Sequence, residues 1–124
     1  MKKNIWIVVI ILFMAFVVWL IMTPKRVVAS KLDGFATCIK DSGATFYGAF
    51  WCPHCQAQKK MFGTSERFLP YVECSTPDGS GQLQVCKDKK ITGYPTWIFK
   101  DGTTLNGEIS LVDLAKQTSC VLPQ

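Results

Sequence analysis

The segment FWCPHCQ, from Phe50 to Gln56, contains two cysteines separated by a proline and a histidine. Such a pair can be half of a metal site, a structural disulfide, or a redox centre that cycles between dithiol and disulfide. Zinc fingers and zinc ribbons combine two pairs of ligands at short spacing. The only histidine of the chain, His54, lies inside the pair, and Cys74 and Cys86 are not at such a spacing. We therefore predict no metal site.

The pair lies between a predicted strand and a predicted helix. Residues 44–50, ATFYGAF, are apolar on both faces, which is typical of a central strand. A helix is predicted from Cys52 or Pro53 to Gly63, because proline is favoured at the first position of a helix. A structural disulfide would not require this strand-to-helix context, so we favour a redox centre.

The two cysteines are not equivalent in this context. Cys52 is expected at the N-terminus of the helix, where free N–H groups and the helix dipole stabilise a thiolate and lower its pKa. A protonated His54 would add to that stabilisation. Cys55 is expected one turn further along the helix, as a more buried thiol. We therefore predict that Cys52 reacts with the substrate and that Cys55 resolves the mixed disulfide.

The rest of the chain predicts an α/β fold. Capping patterns and helical spacing predict a first helix from Ser30 to Gly43 and a last helix that begins at Ser110. The remaining predicted elements are a strand at 71–75, a loop at 76–81, a short helix at 82–90, and strands at 95–100 and 104–109. The β-α-β unit implies a parallel pair of strands, and the closing hairpin adds antiparallel strands at an edge. Lys59 and Lys60 are predicted to lie on a solvated helix face.

A membrane anchor is predicted at the N-terminus. Ile5–Met22 is a run of 18 residues without a charge, close to the length that spans the ~30 Å apolar core of a bilayer. The alternative is a cleaved signal with Val27-Val28-Ala29 before the cut, which Lys25 and Arg26 disfavour. We predict an anchor with its flanks at 1–26 and a domain at 27–124.

Charge and cysteine usage indicate where that domain lies. The net charge is +5, but four of the fourteen Lys and Arg residues flank the apolar run, which leaves ten against nine acidic residues. A domain of this balance is not expected to bind nucleic acid. All six cysteines lie outside the anchor, and a dense, even set suits an oxidising compartment. We expect a single-pass protein of the cell (inner) membrane with its domain in the periplasm or an equivalent compartment, such as the thylakoid lumen.

The segments FYGAFWCPHCQAQKKMF and GYPTWIFKDGTTLNGE, followed by a last helix, resemble the thioredoxin superfamily. The resemblance implies a central mixed sheet with helices on both faces, and a cis Tyr94-Pro95 bond that packs against Cys52. The segments FYGAFWCPHC, LPYVECSTPDG and GYPTW more narrowly resemble the thioredoxin-like domain that partners, or is fused to, bacterial and plastid homologues of vitamin K epoxide reductase. In that family a membrane enzyme passes electrons from the domain to a quinone.

Two positions bear on the direction of electron flow. Thioredoxins usually hold a buried acid six positions before the first active cysteine, where this chain has Phe46. The Cys-Pro-His-Cys sequence is similar to that of the oxidising enzyme DsbA, in which a stabilised thiolate makes the disulfide a better oxidant. Both features favour oxidation of substrate thiols. Trp51 is expected to shield Cys52, with plain packing as the alternative, and the exposed backbone of Tyr94 would pair with a substrate strand.

The other four cysteines are expected to form structural bridges. Cys74 is on a predicted strand and Cys86 is on the helix that follows it. Such a strand and helix pack face to face, so the two cysteines could form a structural disulfide, with a second redox relay as the alternative. Elimination then pairs Cys38 with Cys120, and buried free thiols remain possible. The thioredoxin resemblance counts against that second pairing, because it implies that the first and last helices lie on opposite faces of the sheet.

Together these features predict a membrane-anchored thiol-disulfide oxidoreductase with no cofactor other than the Cys52–Cys55 disulfide. It would oxidise the cysteine thiols of substrate proteins and be re-oxidised by a quinone-linked membrane oxidase similar to vitamin K epoxide reductase. One alternative is a disulfide reductase of the cytochrome-maturation kind. The other is a non-catalytic metal chaperone or assembly module.

Overall fold

The computed structural model describes residues 2–22 and 30–124. Helix α1, Lys2–Met22, contains the apolar span Asn4–Met22, whose mean hydropathy of 3.1 and 19-residue length suffice to cross a membrane. A signal sequence near an N-terminus meets the same criteria. The predicted domain boundary between residues 26 and 27, the charges at 25–26 and the alternative cleavage segment 27–29 lie outside the described residues.

The sheet has four strands in the order β2-β1-β3-β4. Their bounds are Thr45–Gly48 for β1, Tyr71–Glu73 for β2, Thr96–Ile98 for β3 and Thr104–Asn106 for β4. β1 pairs in parallel with β2, whereas β1 with β3 and β3 with β4 are antiparallel. The mixed sheet, with its parallel pair and its hairpin at one edge, confirms the predicted topology, although each strand is shorter than predicted.

The predicted helices are all present among the described residues. They are α2, Asp33–Asp41; α3, Pro53–Lys60; α4, Gln84–Asp88; and α5, Leu111–Thr118. Ser110 caps α5 as expected, since its Oγ accepts a hydrogen bond from the N–H of Asp113 at 3.1 Å. A 3₁₀ helix, Gly63–Phe68, continues from α3 and is not predicted by the sequence pattern.

Helices cover both faces of the sheet. Because side chains alternate along a strand, Phe46 and Tyr47 of β1 point to opposite faces. The cluster around Phe46 is the main core, and it includes Phe35, Ala36 and Ile39 of α2, Cys55 of α3 and Leu114 of α5. Tyr47 belongs to a second, smaller cluster with Ile91 and with Cys86 of α4. This architecture is a thioredoxin-like fold.

The first and last helices of the domain lie on the same face, so the expectation of opposite faces is wrong. The reason is that Phe35 and Ile39 of α2 and Leu114 of α5 are all buried in the cluster around Phe46. Cys38 and Cys120 are bonded, with Cα atoms 5.9 Å apart, which confirms the pairing over the free-thiol alternative.

The second bridge joins the end of β2 to α4 on the other face of the sheet. Cys74 and Cys86 are bonded, with Cα atoms 5.6 Å apart, which confirms the predicted pairing. Both side chains are completely buried. A redox relay needs at least one sulfur that a partner thiolate can reach, and neither of these sulfurs reaches the surface, so the burial favours a structural role that closes the loop at 76–81.

Loss of the Cys38–Cys120 bridge should destabilise the domain strongly. The two cysteines are 82 positions apart, and closing a loop of that length contributes about 4.5 kcal/mol in the chain-entropy model. We expect the free energy of unfolding of Cys38→Ala/Cys120→Ala, measured by urea denaturation in detergent, to fall by about that amount. Val121→Ala, at an exposed neighbour, is the control and should have no effect. A loss below about 1 kcal/mol would mean that packing alone holds α2 to α5.

Candidate active site

Cys52 occupies the N-cap position of α3. Its backbone is extended (φ −76°, ψ 119°), and Pro53 takes the first helical position, where its missing N–H costs nothing. The Cys52 Sγ accepts a hydrogen bond from the N–H of Cys55 at 3.4 Å. The sulfur therefore fills the role that a Ser or Asp oxygen plays in other N-caps, at the end of the helix where negative charge is favoured.

Cys55 lies one turn further along and is buried more completely. Its side chain is 1% exposed, compared with 5% for Cys52, and both cysteines are free thiols in this structure. Burial raises the pKa of the Cys55 thiol to about 12, and the hydrogen bond with Cys52 contributes in the same direction. Cys55 is therefore a neutral thiol at physiological pH.

The loop before β3 brings a backbone carbonyl to the reactive sulfur. The Tyr94-Pro95 bond is cis, as the thioredoxin resemblance implies, and Pro95 is fully buried. The Cys52 thiol donates a hydrogen bond to the carbonyl oxygen of Tyr94 at 3.7 Å. The loop and the N-terminus of α3 thus form one site from segments 42 positions apart.

Two aromatic side chains next to Cys52 are about half exposed. Phe50 is 49% and Trp51 is 50% exposed. The Trp51 Nε1 donates to the Ser75 Oγ at 2.8 Å, and its ring meets the ring of Tyr94 edge-on at a centroid distance of 6.0 Å. Trp51 therefore joins the loop after β2 to the loop before β3, and it leaves an apolar surface beside the reactive sulfur.

His54 pairs with an acid that the sequence analysis missed. Its Nδ1 lies 2.7 Å from Oε1 of Glu108, which follows β4. The side chains are 69% and 34% exposed, so the ion pair formed by a protonated His54 contributes at most about 1 kcal/mol. Glu108 balances part of any positive charge that His54 brings towards Cys52. The two residues are 54 positions apart, so no local sequence signal could reveal the contact.

An aromatic stack occupies the position of the buried acid of thioredoxins. Phe46 is completely buried, its ring stacks on Trp97 at a centroid distance of 4.7 Å, and it meets Tyr71 edge-on at 5.1 Å. The position that holds an acid in thioredoxins is therefore surrounded by aromatic rings in this chain, and a buried acid there would need a hydrogen-bonding partner.

Polar groups reach the site from β2 instead. The Tyr71 hydroxyl donates to Oε2 of Glu73 at 2.7 Å, while Oε1 accepts from the backbone N–H groups of Phe50 at 3.2 Å and Ser75 at 2.8 Å. The Lys59 Nζ lies 3.4 Å from the centroid of the Tyr71 ring. The prediction of a solvated face is thus wrong for Lys59, which is half-buried, and correct for Lys60, which is exposed.

Across residues 2–22 and 30–124, no group of three or more His, Cys, Asp or Glu side chains could hold a metal ion. The arrangement instead suits thiol-disulfide exchange, because one sulfur lies at a helix N-terminus and the other belongs to a buried neutral thiol whose backbone N–H donates to the first sulfur.

Comparisons with known proteins agree with this chemistry. The chain is 49% identical over 87 residues to thiol-disulfide oxidoreductase LTO1 of Arabidopsis thaliana, covering 66% of this chain and 23% of that protein. It is 32% identical over 108 residues to the thioredoxin domain-containing protein 5 homolog of Drosophila melanogaster, covering 75% of this chain and 24% of that protein. The chain spans about a quarter of the length of these curated relatives. No protein-family model matches it.

Gly48 should tolerate no side chain, because the site is packed against it. A Cβ at this position would lie 2.8 Å from the Tyr71 ring and 2.9 Å from the Cys55 Sγ. We expect Gly48→Ala to lower the free energy of unfolding by about 1–3 kcal/mol, measured by urea denaturation. The matched control is Gly34→Ala in α2, which meets no atom within 4 Å and should be neutral or slightly stabilising. Equal stabilities of the two variants would contradict this packing.

Proposed function

We propose that this chain is a thiol-disulfide oxidoreductase whose Cys52–Cys55 pair exchanges disulfides with the cysteines of substrate proteins. The observation that carries the proposal is the position of Cys52 as the N-cap of α3, with Cys55 one turn inward and the Tyr94 carbonyl beside it. Both relatives support it, since one is a thiol-disulfide oxidoreductase and the other contains a thioredoxin domain.

In the oxidising direction, a substrate thiolate attacks the Sγ of Cys52 in the disulfide form. The S–S bond breaks, its electron pair goes to Cys55, and the substrate is held as a mixed disulfide on Cys52. A second substrate thiolate then attacks the substrate sulfur of that mixed disulfide and displaces Cys52 as a thiolate. The substrate leaves with a new disulfide, and Cys52 and Cys55 remain reduced.

Oxidation of substrates is the direction that the residues around the pair favour. The helix N-terminus stabilises the departing Cys52 thiolate, and a protonated His54 adds positive charge next to it. Phe46 occupies the position where thioredoxins have an acid, so that acid is not available to deprotonate Cys55 for reduction of a substrate. A quinone-linked membrane oxidase similar to vitamin K epoxide reductase would restore the disulfide.

α1 would anchor the protein in the membrane as a single span, with residues 27–124 forming the domain on the oxidising side. In a bacterium that side is the periplasm, and in a plastid it is the thylakoid lumen. The length and apolar composition of Asn4–Met22 support the anchor, and the two structural disulfides support an oxidising compartment.

Trapping of mixed disulfides should identify the partners of the Cys52–Cys55 pair and show whether the protein is in the membrane fraction. Cys55→Ala leaves Cys52 without a resolving thiol, so mixed disulfides with partners should accumulate. We expect complexes on non-reducing gels that disappear on reduction and that stay with the membrane fraction after alkaline extraction. Cys52→Ala is the matched control and should form none. The proposal fails if Cys55→Ala captures nothing, or if Cys52→Ala captures as much.

A reductase is the second candidate, and one observation favours it. Lys59, Tyr71 and Glu73 place charged and titratable groups behind Cys55, where they could help to deprotonate it. The two candidates differ in reduction potential. For an oxidant we expect titration of the Cys52–Cys55 pair against a glutathione buffer to give a potential above the ~−270 mV of thioredoxin. A value at or below that figure would establish the reductase instead.

A further inference from the structure

Lys59, Tyr71 and Glu73 form a polar triad that the oxidising reaction described above does not use. The Lys59 ammonium lies over the face of the Tyr71 ring at 3.4 Å, and the Tyr71 hydroxyl donates to the Glu73 carboxylate at 2.7 Å. The backbone N–H groups of Phe50 and Ser75 hold the other carboxylate oxygen in place. The Lys59 side chain is therefore kept half-buried instead of extending into solvent.

This triad is adjacent to the buried sulfur. Cys55 and Lys59 are four residues apart on α3, so they lie on the same side of the helix. The Tyr71 ring and the Cys55 Sγ both pack against Gly48, since a Cβ there would lie 2.8 Å from the ring and 2.9 Å from the sulfur. The positive charge of Lys59 lowers the pKa of Cys55, against the larger effect of burial, which raises it.

We propose that Lys59, held over the Tyr71 ring, is the electrostatic partner that stabilises the Cys55 thiolate whenever the Cys52–Cys55 disulfide opens or closes. The inference rests on the proposed function, because it concerns a step of that exchange. When a thiolate attacks Cys52, the electron pair of the S–S bond goes to the Cys55 Sγ, which becomes an anion in an apolar site. The Lys59 ammonium offsets that charge until the thiolate takes a proton from solvent.

The neighbouring elements offer Cys55 no other cation among the contacts described. Cys52 at the N-cap and Tyr71 on β2 are titratable, but neither group can become positively charged. Glu73 is an acid and acts on the site through its hydrogen bond with Tyr71. β1 presents Phe46 and Gly48 to the sulfur, and neither titrates. Lys59 is therefore the cationic side chain, among the contacts described, whose removal should make Cys55 less acidic. The larger effects of burial and of the Ala49 backbone hydrogen bond on the pKa of Cys55 do not involve the Lys59 side chain.

The closing step isolates this effect. The full chain in detergent is prepared with glutathione as a mixed disulfide on Cys52, and the release of glutathione is followed from pH 6 to 9. The Cys55 thiolate attacks the Sγ of Cys52, the bond to glutathione breaks, and glutathione leaves as a thiolate. The rate therefore follows the fraction of Cys55 that is ionised.

Three variants separate charge from packing. Lys59→Met keeps the length of the side chain and removes the charge, Lys59→Arg keeps the charge, and Lys60→Met removes the charge of the exposed neighbour. We expect Lys59→Met to release glutathione about three- to tenfold more slowly at each pH. Loss of a nearby positive charge raises the pKa of a thiol by about one unit or more, which lowers the ionised fraction of Cys55. A more basic thiolate is also a better nucleophile, which offsets only part of the loss in rate. Lys59→Arg should stay close to the wild-type rate, and Lys60→Met should match it.

A wild-type rate in Lys59→Met, or an equal loss in Lys59→Arg, would overturn the inference. Circular dichroism checks that each variant is folded, and Lys59→Gln provides the same comparison if Lys59→Met does not fold. Glutathione release requires only the two cysteines, whereas the proposed function is tested by disulfide transfer from the wild-type chain to a reduced protein. A chain that fails in that transfer and still shows the Lys59 effect would refute the function and leave the role of Lys59 standing.

Discussion

β1 is hydrogen-bonded to a strand on each side, and every part of the candidate site is positioned from it. It pairs with β2 and β3, and its own end leads through a short loop to Cys52. β2 delivers Tyr71 and the loop before β3 delivers the Tyr94 carbonyl, so both reach the sulfurs only because their strands are in register with β1. A one-residue slip of β2 would turn Tyr71 to the other face of the sheet, and a slip of β3 would move the Tyr94 carbonyl away from Cys52.

The site works through a contrast between two sulfur environments that are one helical turn apart. Cys52 lies where a helix leaves its N–H groups free, whereas Cys55 lies in the apolar core with a pKa raised to about 12. Each sulfur also has a basic side chain nearby: His54 lies two residues after Cys52 and is paired with Glu108, and Lys59 lies a turn beyond Cys55 and is held by Tyr71. Charge around the pair is therefore set by long-range contacts as much as by α3.

The strands are only three or four residues long, so the sheet contributes few hydrogen bonds to stability. The two disulfides compensate on opposite faces. Cys38–Cys120 joins α2 to the end of α5 on the face that carries Phe46, and Cys74–Cys86 joins β2 to α4 on the other. Small domains with modest cores commonly depend on such bridges, and here neither bridge involves the pair that we propose to be redox-active.

Local patterns in the sequence determined the order of the elements, the Ser110 cap and the place of Cys52 ahead of a helix, because hydrophobic period and capping depend on neighbouring residues. The Cys74–Cys86 pairing followed from the same local unit. Only the tertiary structure decided that α2 and α5 share a face, that Glu108 meets His54, and that Lys59 lies over Tyr71. These contacts join segments whose separation along the chain carries no signal, since they depend on how helices pack on the sheet and on which side chains that packing brings together.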